Sequence, residues 1–155
     1  MNKRLGVAAS VAAIVCLTVG SEGPALGSAG NPARGHHRTI RLFEATTAHH
    51  VIDVGPAGPS IGDQFLFRAR LMRNGNQVGH DRGLCEITAE DQSRCRAKVV
   101  LRPGTITVQG PVSDSSRHFD LPVTRGSGAY ADAQGWLHVF EISNTQAILT
   151  FHLSR

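Results

Sequence analysis

The chain has 155 residues, 41% of them hydrophobic, 18% charged and 5% aromatic, with 17 Gly and 7 Pro. That length suits one domain, and the apolar fraction is large enough for a core, which excludes wholesale disorder. Basic residues exceed acidic ones by 16 − 12 = +4, but they are scattered as single arginines with no basic run interleaved with aromatics, so no nucleic-acid partner is expected.

Asn2-Lys3-Arg4 makes a positive start, and Leu5 to Val19 is apolar or small almost throughout. Gly20 to Pro24 and the small residues from Ala25 to Ala29 follow. This order is that of a secretory signal peptide. Residues 1–29 are read as a cleaved leader, and the mature protein as secreted (extracellular). A membrane anchor is the alternative, but the apolar run is short for a span. No spanning-length apolar segment follows it, so no membrane association is expected after cleavage. Residues 30–38, rich in Gly, Pro and His, read as a flexible lead-in, and 39–155 as a single domain.

Two cysteines remain after cleavage, Cys85 and Cys95. An exported chain meets an oxidising compartment, so an even pair reads as a disulfide. Between them lies the polar stretch Ala89 to Ser93. A hairpin centred near Glu90 sets residue 85 opposite residue 95, at the Cβ separation a cross-strand bridge needs. Two buried thiols are the bland alternative, and a free, reactive Cys85 is the sharp one.

The domain reads as strands. In 39–46, Ile40 and Leu42 share a face; in 63–71, Phe65, Phe67, Ala69 and Leu71 do, with Arg68 and Arg70 opposite. Asn74-Gly75-Asn76 signals a tight turn. A weaker strand over 78–88 contains Gly79 and Gly83. In 95–101, Cys95, Ala97, Val99 and Leu101 alternate with Arg96 and Lys98, and Pro103-Gly104 turns the chain. Further strands follow at 105–112, around Phe119 to Val123, at 136–142 and at 147–153. Ala48 to Pro59 reads as a loop or crossover, and Gly126 to Gln134 as a segment able to form one helical turn. No window shows a sustained 3.6 period. Eight strands with one apolar face each predict an all-β, eight-stranded antiparallel closed barrel, since closure removes unpaired edges. A sandwich is the runner-up. A barrel of that size holds side chains or one small ligand.

Period 2 allows a sequence to be asked which polar groups point inward. Glu44 and Thr46 share parity with Ile40 and Leu42, which aims Glu44 at the lumen, where burial raises a carboxyl pKa. Asp63 begins its strand and is expected at the rim. His138 is in phase with Trp136 and Phe140, as a half-buried ring or a pocket polar group. His49-His50-x-x-Asp53 is too weak a spacing for a metal site, and no cofactor or metal is expected. No nucleophile elbow or phosphate loop occurs.

The runs Ser60-Ile61-Gly62-Asp63, Gly83-Leu84-Cys85, Thr107-Val108-Gln109-Gly110 and Leu121-Pro122-Val123-Thr124-Arg125-Gly126-Ser127-Gly128-Ala129-Tyr130, with Ala133-Gln134-Gly135 before a strand, resemble the allene oxide cyclase barrel family, whose wider relatives are the dirigent proteins. The resemblance spans roughly residues 39–153. It implies an eight-stranded barrel with an apolar cavity, assembled as a homotrimer. It also implies chemistry in which a reactive lipid epoxide is held in one conformation during ring closure. The family pocket uses a first-strand glutamate, two Asn residues and a cysteine in a Gly-Leu-Cys segment. Glu44 matches the glutamate and Cys85 the cysteine, whereas Thr46 and Ala69 stand where the Asn residues would be. Glu44 is therefore the candidate catalytic residue. Thr46, Phe65, Phe67, Ala69, Tyr130, Trp136 and His138 are the candidate pocket. Two functions follow: an exported isomerase or cyclase that steers ring closure, or a carrier of small hydrophobic molecules. A barrel filled by its own aromatics, serving as a scaffold, is a third.

Overall fold

A computed structural model of the protein describes residues 37–155. The expected leader over 1–29, and the lead-in up to residue 36, lie outside the described residues. From Arg38 the chain forms β1 (Arg38–Ile52), β2 (Gln64–Arg73), β3 (Asn76–Ala89), β4 (Gln92–Leu101), β5 (Gly104–Ser113), β6 (His118–Gly128), β7 (Gln134–Ser143) and β8 (Gln146–Ser154). Each strand pairs antiparallel with the next, and β1 also pairs with β8, which closes the sheet into a barrel. The closed eight-stranded barrel anticipated from alternation is the observed fold.

Alternation sends one face of each strand inward. The buried set runs Ile40 and Leu42 on β1, Leu71 on β2, Val99 on β4, Ile106 on β5 and Phe151 on β8, each at most 3% exposed. Arg68, Arg70, Arg96 and Lys98 occupy the opposite, exposed face. The interior is filled unevenly. Around the start of β1 and the end of β2, large side chains with Tyr130 among them pack the barrel solid. Toward the other end the inward side chains shorten to Ala97, Ala147, Ser93 and Cys95, and the core opens into a cavity.

Two expectations about the connecting segments are corrected. Ala48 to Pro59 is not all loop, because β1 continues to Ile52 and pairs Val51 with Phe65. The register shifts between Thr46 and Ala48, so one extra residue is inserted and the inward parity flips. Thr47 Oγ1 donates to the Arg68 carbonyl at 3.1 Å across this bulge. Broken parity is why the segment reads as a loop in sequence. Gly126 to Gln134 forms no helical segment: β6 extends to Gly128, and a series of turns follows, with Tyr130 N–H donating to the Ser127 carbonyl at 3.1 Å. A Cβ on Gly126 would run into the Tyr130 carbonyl oxygen, so only glycine lets this turn fold back onto its own strand.

Candidate functional site

The open half of the barrel encloses a cavity of about 810 Å³. Its mouth is ringed by four connections that share one end of the barrel: Pro59–Ile61 before β2, Ala89–Asp91 between β3 and β4, Ser113–Ser116 after β5, and Ser143–Asn144 between β7 and β8. Phe65, Phe67, Phe119, Leu121, Leu137 and Val139 supply apolar wall. Phe65 and Phe67 stack with ring centroids 6.1 Å apart. Phe67 lies against Gly83 on β3, where a Cβ would collide with its ring. The glycine in the Gly-Leu-Cys segment therefore sets how that aromatic wall sits.

Two carboxyls occupy the lumen. Glu44 points inward from β1, as its parity predicts, and Asp81 points inward from β3. Asp81 pairs in register with Ala69, and Ala69 with Thr46, so the three lie in one cross-strand row. Ala69 itself does not line the cavity. Its short side chain leaves the space between Thr46 and Asp81 that a larger residue would fill. Asp81 is only 3% exposed, and its Oδ1 has no hydrogen-bond partner. Burial drives its pKa up to about 7, against the opposing pull of the backbone amides of Ala69 and Asp81. Burial first, then the charges of Asp81 and Glu141, push Glu44 up to about 8. Glu141, on β7 at the mouth, is raised by burial and lowered by the nearby Arg117. Two carboxyls that repel each other in this way titrate as a coupled pair, so one can be protonated and able to donate while the other is ionised and able to accept.

The remaining predicted site residues separate into three groups. Thr46, Phe65 and Phe67 line the cavity beside Glu44. Ala69 and Tyr130 are buried but lie outside it, Tyr130 at the filled end with the Arg38 guanidinium 5.4 Å from its ring. Trp136 and His138 do not belong to the lumen, which corrects their placement in the pocket. On β7 it is Leu137, Val139 and Glu141 that face inward, and the aromatic set alternates onto the outer wall. There Trp136 stacks on His152, and His138 Nδ1 lies 2.7 Å from Asp120 Oδ1. Asp81 and Glu141 are the site residues that sequence reasoning missed. A signal existed for each. Cys85 must face Cys95 across the hairpin, which fixes the inward parity of β3 and carries it back to residue 81. Glu141 shares parity with Leu137 and Val139.

Cys85 and Cys95 are paired in register and bridged. The bridge lies in the cavity wall, so no thiol of this pair is free for chemistry there. Asp63 stands at the rim end of the barrel as expected, but with its side chain buried at 6% exposure, and it holds the connection between β1 and β2. Its carboxylate accepts from Val54 N–H at 2.9 Å and from Ser60 N–H at 2.8 Å, and these bonds lower its pKa. At the mouth, Asp91 accepts from the Ser113 and Ser115 hydroxyls at 2.8 and 2.9 Å, which keeps it ionised and ties two rim turns together. Among the described residues, no three His, Cys, Asp or Glu side chains converge as a metal site.

The closed barrel has known counterparts. The sequence profile of the allene oxide cyclase barrel like domain matches residues 43–152. The chain belongs to this family. Among solved structures, a pyocyanin demethylase superposes with a TM-score of 0.70 at 27% identity, over 75% of this chain and 99% of that one. AbnU, an exo-specific intermolecular Diels-Alderase, gives a TM-score of 0.67 at 18% identity, over 78% of this chain and 100% of its own. A pterocarpan synthase dirigent protein gives 0.61 at 12% identity, over 77% and 94%. The last two share the fold. No curated protein sequence matches the chain.

Proposed function

We propose that this allene oxide cyclase-like barrel binds a small, largely apolar molecule in its lumen and acts on it by proton transfer through Glu44 and Asp81, as an isomerase or cyclase. The observation that carries this reading is a buried carboxyl, Asp81, with one oxygen lacking a donor, in the same largely apolar-walled cavity as a second carboxyl, Glu44. Buried polar atoms without a partner are rare in native proteins, and carboxyls with strongly shifted pKa values cluster at functional sites. The apolar wall would hold a flexible substrate in one shape, and positioning of that kind supplies about 7–11 kcal/mol in the best cases. The protonated carboxyl would donate as charge develops and its partner would accept. The Diels-Alderases and the demethylase among the structural relatives support small-molecule chemistry in such a lumen. A carrier is the second reading, favoured by Thr46 and Ala69 standing beside Glu44 and Asp81 in place of side-chain amides. The disulfide supports export, with residues 1–29 as the removed leader. The exposed Trp136 and Phe140 on β7 support assembly as a homotrimer through that wall.

Nile red, a neutral apolar dye, tests the pocket. It is expected to brighten with the wild-type protein and not with Ala97→Trp, whose indole would fill the lumen. Equal brightening in both, or none in either, overturns the pocket. Native mass spectrometry of protein from the culture medium would show any co-purified molecule. Turnover of that molecule is expected to fall by about 100-fold or more in Glu44→Gln, and equal turnover removes Glu44 from the mechanism.

A further inference from the structure

The charges of this protein are sorted in space in a way its composition conceals. The chain as a whole is basic, at +4. Yet six side chains lining the cavity and its mouth are carboxyls (Glu44, Asp81, Glu90, Asp91, Asp114 and Glu141), and among the described residues no Lys, Arg or His lines it. The bases sit outside: Arg68, Arg82 and Lys98 form one cross-strand row on the exposed wall of β2, β3 and β4. Glu90, Asp91, Asp114 and Glu141 are exposed at the mouth, whereas Glu44 and Asp81 lie in the lumen, where a neutral hydrocarbon offers nothing to offset the solvation their ionised forms lose. A lumen for an anionic or strongly accepting ligand would carry the opposite sign.

Two further observations bear on the ligand. Asp81 Oδ1 is buried without a protein donor and Asp81 lines the cavity, so a ligand there is best matched by a donor or a positive charge. Phe65, Phe67 and Phe119 wall the same space and supply contact area for an apolar body; Phe65 stacks on Phe67 and, at 5.8 Å, on His49, whose imidazole lies outside the cavity lining.

We infer that the lumen selects an organic cation: an aromatic or otherwise apolar molecule whose positively charged nitrogen sits against Asp81 and Glu44 with its apolar body along the phenylalanine wall. This inference rests on the small-molecule pocket proposed above and names the class of its ligand. The mouth carboxyls concentrate cations at the entrance, and the lumen carboxyls retain them. Asp91, held ionised by Ser113 and Ser115, keeps the entrance negative even when the deeper pair takes up protons.

Three probes of matched size test it: 1-methylquinolinium (cation), 1-methylnaphthalene (neutral) and 1-naphthoate (anion), titrated by calorimetry into the protein purified from the culture medium. At about pH 9, where Glu44 and Asp81 are ionised, the quinolinium is expected to bind about tenfold or more tighter than the naphthalene, a difference a single charge contact supplies. The naphthoate is expected to bind weakest. At about pH 5.5 the deep pair is protonated, and the preference should shrink toward what the mouth supplies, where Asp91 is held ionised by Ser113 and Ser115. Asp81→Asn should lose most of the quinolinium preference while keeping the affinity for naphthalene, which also shows that the variant is folded. Equal binding of the cation and the neutral probe at pH 9, or tighter binding of the naphthoate, overturns the cation inference and leaves the pocket standing. If none of the three binds, the pocket reading fails and the inference goes with it.

Discussion

Removing the Glu44 charge should stabilise the protein in alkaline solution. Burial and two carboxylate neighbours raise Glu44 from 4.5 to about 8. A carboxyl raised in this way is a proton the folded state holds and the unfolded chain releases. Its contribution is therefore neutral below the unfolded value near 4.5, turns destabilising as pH climbs toward 8, and is constant above it. The whole shift corresponds to about 5 kcal/mol. The cavity mouth admits solvent, and Asp81 shares the repulsion, so Glu44→Gln is expected to recover about 2 kcal/mol at pH 9. For a domain of this size that is about 6–10 °C in Tm. Thermal unfolding of both proteins from pH 5 to pH 9 tests this. The wild type should lose stability across the range, and the Gln variant should lose less. At pH 5 the two should coincide. Parallel curves, or a Gln variant less stable at pH 9, would refute the burial and charge coupling on which the site rests.

Three other outcomes follow from the same geometry. Thiol titration of the denatured, unreduced mature protein should find no free sulfhydryl, and replacing both Cys85 and Cys95 by Ser should cost about 2–3 kcal/mol in urea unfolding, the value for a loop with this ten-residue separation. Asp63→Ala should lower Tm above about pH 5 and open 53–62 to proteolysis. Because hydrogen bonds lower the Asp63 pKa, its stabilising effect is present above the unfolded value and fades as pH falls through the folded one, so the two proteins should converge in acid. Native mass spectrometry should show a trimer that Trp136→Glu dissociates without unfolding the barrel by circular dichroism; a monomer in the wild type would end the trimer proposal.

Alternation in β1, β2, β4, β5 and β8 was enough to predict the closed barrel, because a period of two leaves a closed sheet few choices about which face is apolar. The same rule placed Glu44 in the lumen and paired Cys85 with Cys95. It failed where parity broke or where both faces of a strand were apolar. The extra residue at Thr47 hid the second half of β1. On β7, Trp136 and Phe140 on one face competed with Leu137 and Val139 on the other, and nothing local says which pair is larger on the inside. Asp81 was overlooked because β3 is too rich in glycine and charge to show a face of its own; only its pairing with β2 and β4 defines one.

What the linear chain determined by itself was the set of strands, the bridge and the inward aim of Glu44, since all three depend on spacing along the chain. Tertiary structure alone decided that one end of the barrel is packed solid and the other hollow, and that Asp81 comes to the same hollow as Glu44. The reason is that strand period is a local property, whereas the volume left inside a closed sheet depends on side chains from all eight strands meeting at one level.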